Sequence, residues 1–242
     1  MDEGSLVDDF FDNHSTTNIE KIIELFEIFF HKAQRDNTFF LATSQNNEPN
    51  GRIVLLKNYA PKGFTFFTNK QSQKGGELFA NKNVCACFYW ASIGVQVRIK
   101  GVVQHCTEQE SDQYFNTRST ESQIGAVVSQ QSRPLQSRKI FVEQYKTFVK
   151  NFVKALPSLQ QKSSNNTLQN IQEGEDVSQA PQGGVITRPS HWGGYCIVPH
   201  YIEFWHDRPH RLHDRTTFTF NPALNPALNS MAQNWTIAKI YP

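Results

Sequence analysis

Long apolar runs are missing from this chain. No stretch approaches the ~20 apolar residues that a bilayer-spanning helix needs. The opening MDEGSLVDDFFDNHS is acidic and lacks the basic start and apolar core of a signal peptide. Cysteine is scarce: the four, at 85, 87, 106 and 196, form no CxxC pair, which argues against a thiol-based metal or redox site. A cytoplasmic protein with reduced thiols is the simplest account. Cys85 and Cys87 flank one alanine in an apolar run and are expected on the same side of a strand as small buried residues. An excess of one charge is absent too: 24 Lys and Arg against 22 Asp and Glu leave +2, with no basic tract. That excludes a general polyanion binder and speaks against nucleic acid, so any basic site must be local. Neither the GxSxG of a nucleophile elbow nor the GxxxxGK[ST] of a P-loop occurs.

What is present is aromatic. With 19 phenylalanines in 242 residues, the chain can bury one sizeable core or two small ones. Residues 1–16 read as a flexible N-terminal arm. Thr17-Asn-Ile-Glu20 has the form of a capping box, and Ile19, Ile22, Ile23, Phe26, Phe29, Phe30 and Ala33 follow helical spacing. Strand signals come next at Thr38–Ser44, Arg52–Asn58, Phe64–Thr68, Val84–Ala91 and Val95–His105. In the last of these, Val95, Val97 and Ile99 alternate with Gln96, Arg98 and Lys100. A second capping box, Thr107-Glu-Gln-Glu110, opens a helix, Ser119–Val128 suggests another, and 137–154 a third. From about 157 to 184 the chain turns to Gln, Asn, Ser and Gly, too polar to offset its ordering entropy, and reads as a flexible insertion. Strands resume at Gly194–Val198, Tyr201–Trp205, Leu212–Phe220 and Trp235–Pro242. The expected fold is mostly β with peripheral helices, an antiparallel barrel formed by residues 17–242 as a single domain around the insertion.

Four constellations carry chemistry. In EFWHDRPHRLHDR (203–215), a strand through Arg211, His213 and Arg215 places all three on one face over about 13 Å, suited to an anion whose chemistry moves protons. A solvated edge strand is the plain alternative. His206, His210 and His213 make a poor metal site, because Arg208, Arg211 and Arg215 repel a dication and strand parity separates His210 from His213. Arg52-Ile-Val-Leu-Leu-Lys57 sets two cations of opposite parity around a core strand, so without a bulge they do not grip the same group. Two anions, or one anion and one ion pair, would satisfy them, and cations merely flanking a core strand are the plain alternative. Thr68-Asn-Lys-Gln-Ser72-Gln-Lys74-Gly-Gly76 offers hydroxyls, lysines and glycines at a strand-to-helix junction, as phosphate capture requires and as an ordinary polar turn also supplies. Tyr114, Arg118 and Ser122, at four-residue spacing, present three donors along one helical side, followed by Gln131-Ser132-Arg133; surface decoration is the competing account.

In order, LATSQNNEPNGRIVLLK, FFTNKQSQKGGEL, QVRIKG, SDQYFNTRSTESQIGAVVSQQS, RPSHWGGY, EFWHDRPHRLHDR and the terminal Trp235-x3-Lys239-Ile-Tyr-Pro242 resemble the pyridoxine/pyridoxamine 5′-phosphate oxidase family. The match runs over about 19–138 and 185–242. The resemblance implies an FMN-binding split β-barrel, a homodimer with FMN between subunits, and oxidation of the 4′-carbon of pyridoxamine or pyridoxine 5′-phosphate to the aldehyde with O₂ as acceptor. It implies that Arg52, Ile53, Val54, Leu55, Leu56, Lys57, Phe67, Thr68, Gln73, Lys74, Gln96, Gln131, Ser132, Trp205 and Arg215 hold FMN. Lys57, Tyr114, Arg118 and Ser122 take the vitamer phosphate, and Arg211 and His213 lie over the pyridine ring as the catalytic pair. No metal is implied.

Three departures stand out. Gln73 replaces an arginine usual beside the flavin phosphate, a loss of about 1.5–3 kcal/mol of FMN retention if nothing compensates. Phe67 replaces a tyrosine, and Lys239 an arginine. A catalytically silent FMN or pyridoxal-phosphate binding module is the rival reading, for which Gln73 is the best support. A related oxidase of a different ring is a second rival.

Overall fold

The computed structural model describes Val7, Phe10, Phe11 and residues 14–154, 186–221 and 234–242. The expected insertion and most of the expected arm lie outside these residues. Contacts divide the chain into two compact units: the first holds residues up to Phe67, Glu77–His105 and Tyr195 onward, and the second Thr68–Gly76 and Cys106–Gly194.

The first unit is a branched antiparallel sheet of the split-barrel class. Its strands are β1 (Thr16–Thr17), β2 (Thr38–Gln45), β3 (Glu48–Leu55), β4 (Asn58–Ala60), β5 (Gly63–Asn69), β6 (Asn83–Trp90), β7 (Val95–His105), β8 (Trp192–His206), β9 (Asp214–Phe220) and β10 (Trp235–Lys239). They run in the order β1-β10-β9-β8-β7-β6-β2-β3, with β5 paired to both β4 and β8. Helix α1 (Ile19–Lys32) buries Ile19, Ile22, Ile23, Phe26, Phe29 and Phe30, the stripe its spacing predicts. Phe26 sits among Tyr59, Phe64 and Phe88 at ring separations of 5.1–5.3 Å. Each fully buried phenylalanine contributes about 1.5–3 kcal/mol, which makes this aromatic nucleus the stabilising centre of the unit. The Trp90 indole N–H, buried with it, donates to the Asp36 carbonyl at 2.9 Å.

Several local expectations are corrected. Asn18, not Thr17, caps α1, accepting from the Lys21 amide, while Thr17 belongs to β1. The connection between the strands expected at Thr38–Ser44 and Arg52–Asn58 shrinks to a turn at Asn46-Asn47, both at positive φ (52° and 64°), since asparagine tolerates the left-handed region that a tight hairpin needs. Strand β3 therefore starts at Glu48 and stops before Lys57, so strand parity does not relate Lys57 to Arg52. The two strands expected at 194–205 are one, β8, whose register against β7 shifts between Lys100 and Gly101. Cys85 and Cys87 share a face as expected but are half-buried, because Val84, Ala86 and Phe88 take the core side of β6. Gly63, at φ 144°, turns β4 into β5 where a Cβ would lie 2.2 Å from the Ile197 carbonyl oxygen.

The second unit carries α3 (Glu108–Asn116), α4 (Thr120–Val128) and α5 (Arg138–Lys154); α2 (Gln73–Ala80) begins in it. The Thr107–Glu110 capping box forms as expected. The single helical side through Tyr114, Arg118 and Ser122 does not: α3 ends at Asn116, and Ser119 caps a new helix by accepting from the Ser122 amide. Among the described residues no helix is long and apolar enough to cross a membrane.

Candidate active site

In the first unit, strand register assembles a row. Gln96 on β7 pairs with Trp205 on β8, and Trp205 pairs with Arg215 on β9. Residues two apart on a strand share a face, so Arg98 and Glu203 form the adjoining row on the same side. Glu203 is 2% exposed and binds both Arg98 and Arg215, the latter with Nε at 2.9 Å and Nη2 at 2.7 Å, while Tyr201 donates to it at 2.8 Å. Burial alone would raise the Glu203 carboxyl. The hydrogen bonds from Tyr201, Arg215 and Arg98 outweigh it and hold the group below the usual carboxylate range. A buried carboxylate thus fixes the guanidinium of a residue expected to hold the cofactor.

Arg52 is fixed in the same way. Its Nη2 lies 2.7 Å from Glu77 and its Nη1 donates to Thr43 at 2.5 Å, with Thr43 and Asn50 also bonded to Glu77. Burial pushes Glu77 up, but these donors win and its carboxyl is lowered. Further along β3 and its exit, Ile53 and Leu55 are exposed, Val54 half-buried, Leu56 buried and Lys57 exposed.

The strand expected through Arg211, His213 and Arg215 is corrected. β9 begins at Asp214, and Pro209–Arg211 form a 3₁₀ turn in which His210 and Arg211 stand at φ 60° and 63°. Pro209 favours the turn, and the strand begins only beyond it. Arg211 is exposed. His213 instead packs on Trp205, ring centroids 4.6 Å apart, with its Nδ1 3.1 Å from Asp207 and 3.2 Å from the Arg208 amide N–H. Nδ1 can accept from that amide when neutral or pair with Asp207 when protonated. His206 sits on the other side of β8, buried against Phe29. The half-buried thiols of Cys85 and Cys87 are both pushed up by burial, which disfavours thiolate chemistry on the Gln96 face.

In the second unit, Lys74 is nearly buried, and its ammonium donates to Gln131 Oε1 at 2.8 Å, Thr68 Oγ1 at 3.0 Å and Ser72 Oγ at 3.2 Å. Three residues named for the flavin from distant parts of the sequence therefore meet. Gly75 permits the turn here, since a Cβ would fall 2.1 Å from the Lys70 carbonyl oxygen. Gln73 and Ser132 are exposed, the latter at φ 71°, and Phe67 is half-buried.

Tyr114 and Arg118 also converge, though on a tryptophan rather than on a helix face. Tyr114 stacks on Trp192 at 6.1 Å and 10°, and the Arg118 guanidinium lies 4.9 Å from the same ring. Arg118 Nη1 is buried with no hydrogen-bond partner among the described residues. Burial lowers the Arg118 pKa, with a smaller opposing effect from Tyr114. Ser122 is exposed and accepts a hydrogen bond from the Ser119 hydroxyl at 3.0 Å.

Sequence reasoning quoted Glu203 and Trp192 inside motifs but gave them no role. The signal for Glu203 was an acid within the aromatic strand Tyr201–Trp205, where burial demands a counter-charge. Glu77 offered no comparable signal, since its partners Thr43, Asn50 and Arg52 are distant in sequence.

Residues 29–148 match the family described as pyridoxamine 5′-phosphate oxidase, and residues 192–242 match the pyridoxine 5′-phosphate oxidase C-terminal dimerisation region. The chain is 38% identical over 207 residues to a pyridoxine/pyridoxamine 5′-phosphate oxidase of Erythrobacter litoralis, covering 85% of this chain and 81% of that one. It is 36% identical to that of Sphingopyxis alaskensis, covering 94% of each. Among solved structures, PhzG from Burkholderia lata, in complex with tetrahydrophenazine-1-carboxylic acid, superposes with a TM-score of 0.72 at 20% identity over 96% of each chain. An FMN-binding, pyridoxamine 5′-phosphate oxidase-related protein from Nostoc punctiforme gives 0.61 at 12% identity, covering 90% of this chain and 96% of that one. The two structures share the fold. By its sequence matches, the chain belongs to the pyridoxine/pyridoxamine 5′-phosphate oxidase family.

Proposed function

We propose that this protein is an FMN-dependent oxidase converting pyridoxamine or pyridoxine 5′-phosphate to pyridoxal 5′-phosphate, with O₂ as acceptor, acting as a homodimer in the cytoplasm. The observation that carries the reading is Arg118, whose buried guanidinium nitrogen has no acceptor among the described residues and which shares the Trp192 ring with Tyr114. A module that bound only flavin has no need of this second anion site.

The residues present fit FMN. In the second unit Lys74, Thr68 and Ser72 offer a cation and two hydroxyls suited to a phosphate, and in the first unit Gln96, Trp205 and Arg215 offer donors and a flat ring along one sheet face. FMN, when bound, accepts the hydride and so carries the difficult electronics of the reaction. Every other part belongs to the chain. Lys57, Tyr114, Arg118 and Ser122 hold the substrate phosphate and use that remote binding energy to set the reacting 4′-carbon in place. Arg211, presented on an exposed turn, steers the pyridine ring. His213, braced on Trp205, exchanges a proton at Nδ1 with Asp207 in reach. The substrate gives up two electrons and O₂ is reduced to peroxide; for the amine, water then releases ammonia and leaves the aldehyde.

The test is turnover of pyridoxamine 5′-phosphate beside pyridoxine 5′-phosphate and unphosphorylated pyridoxine. Both phosphate esters should be oxidised, with kcat/KM for pyridoxine lower by about 100-fold or more, the scale of two lost charge-assisted hydrogen bonds. Equal rates with and without the phosphate contradict the reading.

A further inference from the structure

Among the described residues, the carboxylates that pair Arg52, Arg98 and Arg215 have no counterpart at Arg118, whose guanidinium is instead held by rings. It lies 4.9 Å from Trp192 and 5.6 Å from Phe115, and Trp192 also packs on Phe115 at 5.2 Å. Tyr114 also packs on Trp192, nearly parallel to it. One indole thus touches two of the four side chains expected to take the substrate phosphate, and it is itself only 6% exposed.

The segment that delivers this ring is clamped to α3. Arg188 pairs with Asp112 at 2.6 Å and with Glu108, and donates to the Trp192 carbonyl at 2.5 Å. The Trp192 amide closes a turn onto the Pro189 carbonyl at 2.9 Å. The Gly194 amide donates to Ser111 Oγ at 3.3 Å. All of these residues lie in the second unit, and the clamp grips the helix that bears Tyr114.

We infer that Trp192 is a positioning residue for substrate phosphate, holding Arg118 by its ring face and Tyr114 by stacking so that both stand ready for the anion. The inference rests on the proposed function. Its physical logic is that a carboxylate partner would compete with phosphate for the guanidinium, whereas an aromatic face attracts the cation without occupying its in-plane donors. Arg118 therefore keeps its N–H groups available while losing rotational freedom, which lowers the ordering cost of binding.

The test uses FMN-loaded protein and two unreactive ligands, 4-deoxypyridoxine 5′-phosphate and 4-deoxypyridoxine, followed by calorimetry. Wild type should prefer the phosphorylated ligand strongly. Trp192→Leu should weaken that ligand at least tenfold, about 1.4 kcal/mol, while the unphosphorylated one and FMN itself change less than twofold. Trp192→Phe, which keeps a ring, should restore most of the affinity. Arg188→Gln, which loosens the clamp without touching the ring, should weaken the phosphorylated ligand selectively by threefold or more, and it serves if Trp192→Leu does not fold. Unchanged phosphate preference in these variants overturns the inference, as does equal weakening of both ligands. A wild type that binds neither ligand brings down the proposed function, and this inference with it.

Discussion

The two units hold the cations of their candidate sites in different ways. In the sheet unit, Arg52, Arg98 and Arg215 are each bound to a buried carboxylate, Glu77 or Glu203, and strand register sets their positions. In the helical unit, Lys74 donates to the neutral oxygens of Thr68, Ser72 and Gln131, and Arg118 rests on aromatic faces. The difference separates two tasks. A guanidinium already neutralised is a rigid donor, suited to neutral ring edges. A guanidinium held by aromatic faces keeps its in-plane donors for an arriving phosphate.

The sharpest way to break this comparison is to strand a paired cation and an unpaired one. Glu203→Leu leaves Arg98 and Arg215 without their buried carboxylate and should cost about 3–5 kcal/mol in denaturant unfolding. Arg118→Met removes a cation that leaves no charge behind and should cost less than about 1 kcal/mol. Similar losses in the two variants would erase the distinction. Next in size, Lys74→Met should weaken FMN retention by about 1.5–3 kcal/mol, read by flavin fluorescence on dilution. Retention at the wild-type level would move the flavin phosphate away from Lys74. Arg211→Ala should leave FMN bound and cut turnover at least tenfold, roughly 1.4 kcal/mol in barrier; an unchanged rate removes Arg211 from the active site. Gln73→Arg places a guanidinium at an exposed position and should tighten FMN by about 0.5–1 kcal/mol, measured by the same dilution. The smallest effect concerns pH. Glu77 and Glu203 have lowered carboxyl pKa values, so the stability they supply is complete above the ordinary carboxylate range and is lost as pH falls through their folded values. Urea midpoints should hold from pH 7 to about 5 and then decline. Glu203→Gln should decline less; an identical slope would show that Glu203 is not a source of the acid sensitivity.

Where one element's period decides the outcome, the sequence was legible. The alternation Val95/Gln96/Val97/Arg98 was visible in the chain, and through it the face on which Gln96, Trp205 and Arg215 now lie in one row. The helical stripe of α1 was equally readable. Where a break in an element decides the outcome, period reasoning failed. Tyr114, Arg118 and Ser122 have helical spacing, but Ser119 outcompetes continuation by capping a second helix, and Arg118 reaches Tyr114 only through Trp192, 74 positions further on. The strand formers of Thr216–Phe220 suggest extending the strand back through Arg211, while Pro209, two positions before Arg211, favours a turn. The carboxylate partners stayed hidden for a different reason. Glu203 and Glu77 become buried only through long-range pairing, which no local pattern records.

An anaerobic absorbance titration of the FMN-loaded protein with pyridoxamine 5′-phosphate tests the central claim most directly. The account predicts that the flavin band bleaches in proportion to added substrate, that air restores it, and that pyridoxal 5′-phosphate is formed. A flavin spectrum that stays oxidised while the substrate is bound would contradict it and leave a silent binding module.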